Sequence, residues 1–281
     1  MKFVPLLLAA ALTLTNAMAQ GPLRIEGSNT FGEKLGPLLV TAFEGKNPGI
    51  RVALKRPGSG PGLLALIAGR TDIAPTSRPA NRAELQAAKK AGVRLVPQAI
   101  GSYGVAVVVN AQNPVTNLKP SQVRAIFSGK ITHWNQLRGP DQPINLVILG
   151  PKTGARAGFQ NLALRGDDYA ATATALPDYA TMVATVAADP FAIGYADIRS
   201  LPPGTRSVLI NGEPANAMSI YEQVYPYASP LYLYTLEHGT SAAAKKFVRF
   251  VQSREGQRIM AKAGFVPRLP AAPFAERSLA P

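Results

Sequence analysis

Leu23-Arg24-Ile25-Glu26-Gly27-Ser28-Asn29-Thr30-Phe31 is the stretch that decides the fold. Its first four residues read as a short strand and its middle as a Gly-bearing turn rich in hydroxyl and amide side chains. Its last residue opens a helical stretch over Phe31–Phe43. The same succession follows twice more. A strand at Ile50–Lys55 leads through Gly58-Ser59-Gly60-Pro61-Gly62 into a helix over Gly60–Ala68. A strand at Asp72–Thr76 leads through Thr76-Ser77-Arg78-Pro79 into a helix over Asn81–Ala91, with Asn81 as N-cap and Gly92 as C-cap. Short strands alternating with helices predict an α/β fold with a mainly parallel sheet.

Strands near Arg94–Pro97 and Val105–Asn110 follow, and a change of character at Asn113-Pro114 begins a second unit. There the pattern gives a helix at Ser121–Phe127, a strand at Ile144–Leu149, helices at Ala155–Leu164 and Tyr179–Ala187, and a strand at Ala192–Tyr195. After Leu201-Pro202-Pro203-Gly204 come strands at Arg206–Ile210 and Leu231–Thr235. Two helices complete the pattern. In the first, Phe247, Val248, Phe250 and Val251 recur at helical spacing while Lys245, Lys246 and Arg249 cover the other side; the second runs over Glu255–Ala263. The Pro- and Ala-rich end, 268–281, is expected to be a loose tail.

Lys2, the apolar run Phe3–Leu14 and the small-x-small site Ala17-Met18-Ala19 read as a secretory signal peptide over 1–19, cleaved before Gln20. The run contains Pro5 and is shorter than the ~20 residues of a bilayer span. The mature chain is therefore expected to be exported, to the periplasm or beyond. Its roughly 260 residues suggest two domains at about 100–200 residues each. With 47% hydrophobic residues and no Cys, folding rests on burial, and disulfides, thiolate metal sites and Cys nucleophiles are excluded. Lys2 is the only charge before Gly21, so removing the signal takes the formal charge from +14 to +13. That balance favours anionic partners. Lys and Arg are scattered and aromatics make up only 7% of the chain, which argues against nucleic acid.

A fourth Gly- and hydroxyl-bearing stretch, Lys152-Thr153-Gly154-Ala155-Arg156, stands before the helix at Ala155–Leu164. In each of the four, backbone N–H groups, hydroxyls or a guanidinium can surround an oxyanion, and helix N-termini favour negative charge. The alternative for any one of them is ordinary loop chemistry, with Gly making a turn and Ser, Thr or Asn capping the next helix. Enzyme chemistry leaves little trace. His133 and His238 lie far apart with no Asp/Glu-rich ligand pattern, so no metal is expected. Gly58-Ser59-Gly60 lacks the spacing of a nucleophile elbow, and Gly129-Lys130 lacks the rest of a P-loop.

Taken in order, these stretches resemble the periplasmic phosphate-binding proteins of ABC importers, within the type-II substrate-binding protein superfamily. The likeness includes Glu26-Gly27-Ser28-Asn29-Thr30-Phe31, Gly58-Ser59-Gly60, Asp72-Ile73-Ala74-Pro75-Thr76-Ser77-Arg78-Pro79 and Val105-Ala106-Val107-Val108-Val109-Asn110. It continues through Asn113-Pro114-Val115, Ile126-Phe127-Ser128-Gly129-Lys130-Ile131-Thr132-His133-Trp134 and Ile193-Gly194-Tyr195, spanning about 23–267. The resemblance implies two α/β lobes joined by two crossing strands, with ligand in the interlobe cleft. Lobe one would comprise 20–104 and 196–267, and lobe two 105–195, with crossings near Val105 and Gly194-Tyr195.

It also implies a non-enzymatic binding protein without cofactor, acting as a monomer, that delivers an oxyanion, phosphate foremost, to an ABC permease in the inner membrane. An exported relative serving as sensor, adhesin or surface-interaction module is the alternative. The implied contacts are Thr30 and the Phe31 N–H, Ser59, Ser77 with Arg78, and Thr153, Gly154, the Ala155 N–H and Arg156. Of the two guanidiniums, each able to meet two oxygens, Arg156 is favoured. Departures touch selectivity. Leu149-Gly150 stands where a second Arg is frequent, and Ala155 lacks the family hydroxyl. Family carboxylates at Ser77 or near Tyr103 are absent, leaving Glu26 or Asp72 as candidates for their role.

Overall fold

The computed structural model describes residues 21–151, 154–198 and 201–268. The expected signal peptide, Thr153 and the expected tail beyond Arg268 therefore lie outside the described residues. The first unit forms as its periodicity predicts. Strand β1 (Leu23–Glu26) leads through a wide π-type turn at Phe31–Leu35 into α1 (Gly36–Lys46). β2 (Val52–Lys55), α2 (Ser59–Ile67), β3 (Ala74–Thr76) and α3 (Arg82–Lys90) follow. Asn81 caps α3 in a reciprocal box: its side chain accepts from the Glu84 N–H at 2.9 Å and its own N–H donates to Glu84 Oε2 at 2.8 Å.

The two strands expected near Arg94–Pro97 and Val105–Asn110 are one strand, β4 (Leu95–Asn110). Gly101 and Gly104, inside this strand, serve close packing. A Cβ on Gly104 would lie 2.2 Å from Ile220 Cδ1, and one on Gly101 would lie 2.4 Å from Met260 Sδ. Beyond it come β5 (Asn117–Leu118), α4 (Pro120–Phe127), β6 (Asn145–Leu149), α5 (Gly154–Phe159) with a π-type continuation through Leu164, β7 (Thr174–Leu176), α6 (Tyr179–Ala188) and β8 (Ala192–Asp197). The last part comprises β9 (Thr205–Ser207), β10 (Leu209–Ile210), α7 (Ala217–Tyr221), β11 (Ala228–Leu236), α8 (Ala242–Gln252), α9 (Arg254–Lys262) and β12 (Val266–Pro267).

β4 belongs to both lobes. Up to Gly104 it pairs antiparallel with β11, and from Val105 it pairs antiparallel with β8. Parallel pairs complete each side: β1 with β2, and β6 with β7 and β8. The sheet is thus more mixed than the alternating pattern suggests, because the chain crosses between lobes in opposite directions and its crossing strands lie antiparallel. β9 pairs with Val108–Asn110, and β10 pairs with β5. Strand pairing thus sets Thr205–Ser207 beside the second half of β4 and Leu209–Ile210 beside β5.

Each lobe has its own aromatic centre. Phe43 of α1 meets Phe247 of α8 edge-on at 5.1 Å, fixing α8 by the apolar face its spacing predicts. In lobe two Phe159 stacks on Tyr195 at 4.1 Å and meets Phe127 at 4.9 Å. Among the described residues, no helix is long and apolar enough to cross a membrane.

Candidate functional site

Three loops of lobe one converge because glycines let their backbones touch. The Ser28 N–H donates to Pro75 O at 2.8 Å, and the Gly58 N–H donates to Gly27 O at 2.9 Å. A Cβ on Gly27 would meet Pro75 O at 2.1 Å, and one on Gly62 would meet Glu26 O at 2.4 Å, so neither position has room for a side chain. The turns after β1, β2 and β3 are thereby locked together at the carboxyl ends of their strands, the usual ligand position in open α/β sheets.

They form one wall of an interlobe cleft of about 450 Å³. Ser28, Asn29 and Thr30 come from the first loop, Gly58, Ser59 and Gly60 from the second, and Ser77 and Arg78 from the third. Tyr103 and Ser229 complete lobe one's side; they are register partners across the β4–β11 ladder. Lobe two faces them with Ala157, Gly158, Asn161 and Leu162.

Hydroxyls dominate this wall. Ser59 Oγ lies 3.4 Å from Ser77 Oγ and accepts from the Ser77 N–H at 3.2 Å, while Ser229 Oγ donates to Ser77 O. Burial pushes the Tyr103 phenol up to about 12, against the opposing effect of hydrogen bonds with the Thr30, Ser229 and Ser77 side chains. Tyr103 is therefore a neutral hydroxyl at physiological pH. Such groups donate to an oxyanion or accept from a protonated one by rotating the O–H.

The expected residues are distributed unevenly. Thr30, Ser59, Ser77 and Arg78 line the cleft. The Phe31 ring is buried, and its N–H points to Ser28 Oγ at 3.4 Å. Arg78 turns its fork to Glu84, Nη1 to Oε2 at 2.8 Å and Nη2 to Oε1 at 2.7 Å. That bidentate bond holds the Glu84 carboxyl below its ordinary range. Gly154 begins α5, and Ala155 lines a smaller adjoining cavity. Arg156 is not among the cleft-lining residues: Nη1 donates to Leu149 O at 2.8 Å, and the guanidinium lies over the Tyr169 ring, 4.5 Å from its centroid. Glu26 pairs with Lys55 at 3.2 Å and Asp72 with Arg24 at 2.9 Å, and neither lines the cleft.

Gly158, Asn161 and Ser229 escaped the sequence reading. For the first two a signal existed: 157, 158, 161 and 162 share one helical face, and Arg156 falls off it. Ser229 had none, since only the pairing with Tyr103 brings it to the cleft. Among the described residues, no group of His, Asp and Glu could hold a metal ion.

A family model described as a PBP superfamily domain matches residues 13–255. The phosphate-binding protein PstS of Bacillus subtilis is 30% identical over 258 residues, covering 89% of this chain and 81% of that protein. Protein SphX of Synechococcus elongatus is 27% identical, over 88% of this chain and 77% of its own length. Among solved structures, an ABC-type phosphate transport receptor from Vibrio cholerae is similar at a TM-score of 0.77 and 27% identity, covering 87% of this chain and 99% of that one. The two-lobed architecture is accordingly the type-II periplasmic binding protein fold. With the superfamily match spanning most of the sequence and a 30% identical relative aligned along most of both proteins, the chain belongs to the PBP superfamily.

Proposed function

We propose that this protein is an exported solute-binding protein that captures an inorganic oxyanion, phosphate foremost, and delivers it to an ABC-type permease. The observation that carries the reading is the hydroxyl-rich interlobe cleft, built from three locked loops and the Tyr103–Ser229 pair. The relatives named for phosphate binding and phosphate transport support it. The chain is a binding protein and not an enzyme, and it works as a monomer with lobes joined at the Gly104–Val105 crossing.

The ligand set of this proposal is Thr30, Ser59, Ser77, Tyr103 and Ser229 from lobe one, with the main-chain N–H groups of Gly154 and Ala155, Thr153 before them, and Asn161 from lobe two. Arg78 acts beside them through its pairing with Glu84. Arg156 supports α5 from behind, through Leu149 and Tyr169. Titration calorimetry on the mature chain stripped of anion tests the function. One phosphate should bind per chain, and the melting temperature should rise with phosphate concentration because only the folded state binds. Absence of both heat and thermal shift at millimolar phosphate refutes it and favours a surface-interaction role.

A further inference from the structure

The oxyanion cleft does not end at its hydroxyl wall. Thr30, Tyr103 and Gly158 also line a second cavity of about 130 Å³ on the side of the β4 crossing. That is about ten times the ~10–15 Å³ needed to admit one water. Its walls include Val105, Ala155, Phe265 and Tyr179 on one side and the carboxylate residues Glu33 and Asp197 on another, and Val105 and Phe265 are buried core residues. Lys34, largely exposed and 3.7 Å from Asp197 Oδ2, marks its solvent side. An inorganic oxyanion held by the hydroxyls has nothing to put beside Val105 and Phe265.

We propose, resting on the oxyanion reading above, that this cavity is a subsite for a short apolar substituent. The ligand class then extends from inorganic phosphate to phosphonates and phosphate monoesters, with the oxyanion head at Thr30, Ser59 and Ser77 and the substituent beside Val105 and Phe265. Gly158 stands where the two spaces meet. A Cβ there would stand 3.6 Å from Tyr103 Oη and 3.7 Å from Thr30 Oγ1, in contact with both hydroxyls where head and substituent meet.

Titration calorimetry with inorganic phosphate and with methyl-, ethyl- and propylphosphonate tests the proposal. Comparing the phosphonates with one another cancels the oxygen that all of them lack. Each added methylene should strengthen binding about fourfold, so propylphosphonate should exceed methylphosphonate about fifteenfold. Phe265→Trp, which fills the second cavity, should flatten that series while leaving phosphate within about threefold of wild type. Val105→Leu serves the same purpose should the tryptophan variant melt at low temperature. Phosphate binding with a flat or falling phosphonate series overturns the subsite alone, as does a rising series that both variants preserve. Failure of phosphate and all phosphonates to bind overturns the oxyanion reading and this proposal with it.

Discussion

Replacing Arg78 by Ala separates two jobs that a cleft-lining guanidinium can have. If Arg78 held the anion directly, its loss would remove charge-assisted bonds, and nothing done to Glu84 would restore them. The structure argues for the second job. Both arms of the fork lie on Glu84, whose carboxylate is almost wholly buried immediately behind Gly60: a Cβ on that glycine would sit 3.3 Å from Glu84 Oε1. Arg78→Ala leaves that carboxylate uncompensated against the cleft. At a separation of ~8 Å and an effective dielectric of about 20–40, the repulsion of a monoanion is about 1–2 kcal/mol, or roughly five- to thirtyfold in Kd. The double variant Arg78→Ala/Glu84→Ala removes both charges and should recover most of that loss. Calorimetry with phosphate on wild type, both single variants and the double variant closes the cycle. A double variant as weak as Arg78→Ala refutes the reasoning and makes Arg78 a direct ligand.

Arg156→Ala should act on stability, lowering it by about 1–2 kcal/mol through loss of the Leu149 carbonyl bond and the Tyr169 stack. Its phosphate Kd should stay within about threefold of wild type, and a hundredfold loss by calorimetry would return it to the ligand set. Tyr103→Phe deletes one hydroxyl from the cluster and should weaken phosphate by about 0.5–1.5 kcal/mol with little change in fold, checked by titration and circular dichroism. Because no carboxylate is found among the described cleft-lining residues, sulfate should compete better than it does where an Asp accepts the phosphate proton; Ser77→Asp should sharpen the preference in competition calorimetry. Glu84 is held below its ordinary carboxylate range in the folded state. Its contribution to stability is therefore complete above the unfolded-state value and fades as pH falls through the folded one, so Glu84→Gln should flatten acid-side melting curves.

The parts legible in the sequence were those governed by local rules. The strand-turn-helix succession from Leu23 to Ala91, the Asn81 cap and the amphipathic face of α8 follow from periodicity and capping chemistry, and they form as read. Thr30, Ser59 and Ser77 follow from the family resemblance of their loops, and all three line the cleft. What failed was whatever depends on distant partners. The pattern reads as two strands where β4 is one, and the packing of Ile220 and Met260 against its glycines is not visible in the sequence. The resemblance puts Arg156 among the ligands, whereas helical geometry sets residue 156 off the face carrying 157, 158 and 161. Ser229 is brought in by register alone.

The strong basic balance of the chain and the nature of its cleft call for separate explanations. The formal charge is +14 over the whole sequence, but among the described cleft-lining residues the one charged side chain is Arg78, and Glu84 neutralises it. The excess positive charge therefore lies outside the binding wall, where it raises the local concentration of anions and their rate of arrival without choosing among them. In the proposed site, choice falls to Ser59, Ser77, Tyr103, Ser229 and Thr30, whose hydroxyls act over hydrogen-bond distances. Salt separates the two: with a Debye length of about 10 Å at 0.1 M, added ions slow capture by screening the outer charge. Release depends on bonds inside the closed cleft, which ions in bulk do not reach, so ionic strength should change the association rate far more than the dissociation rate.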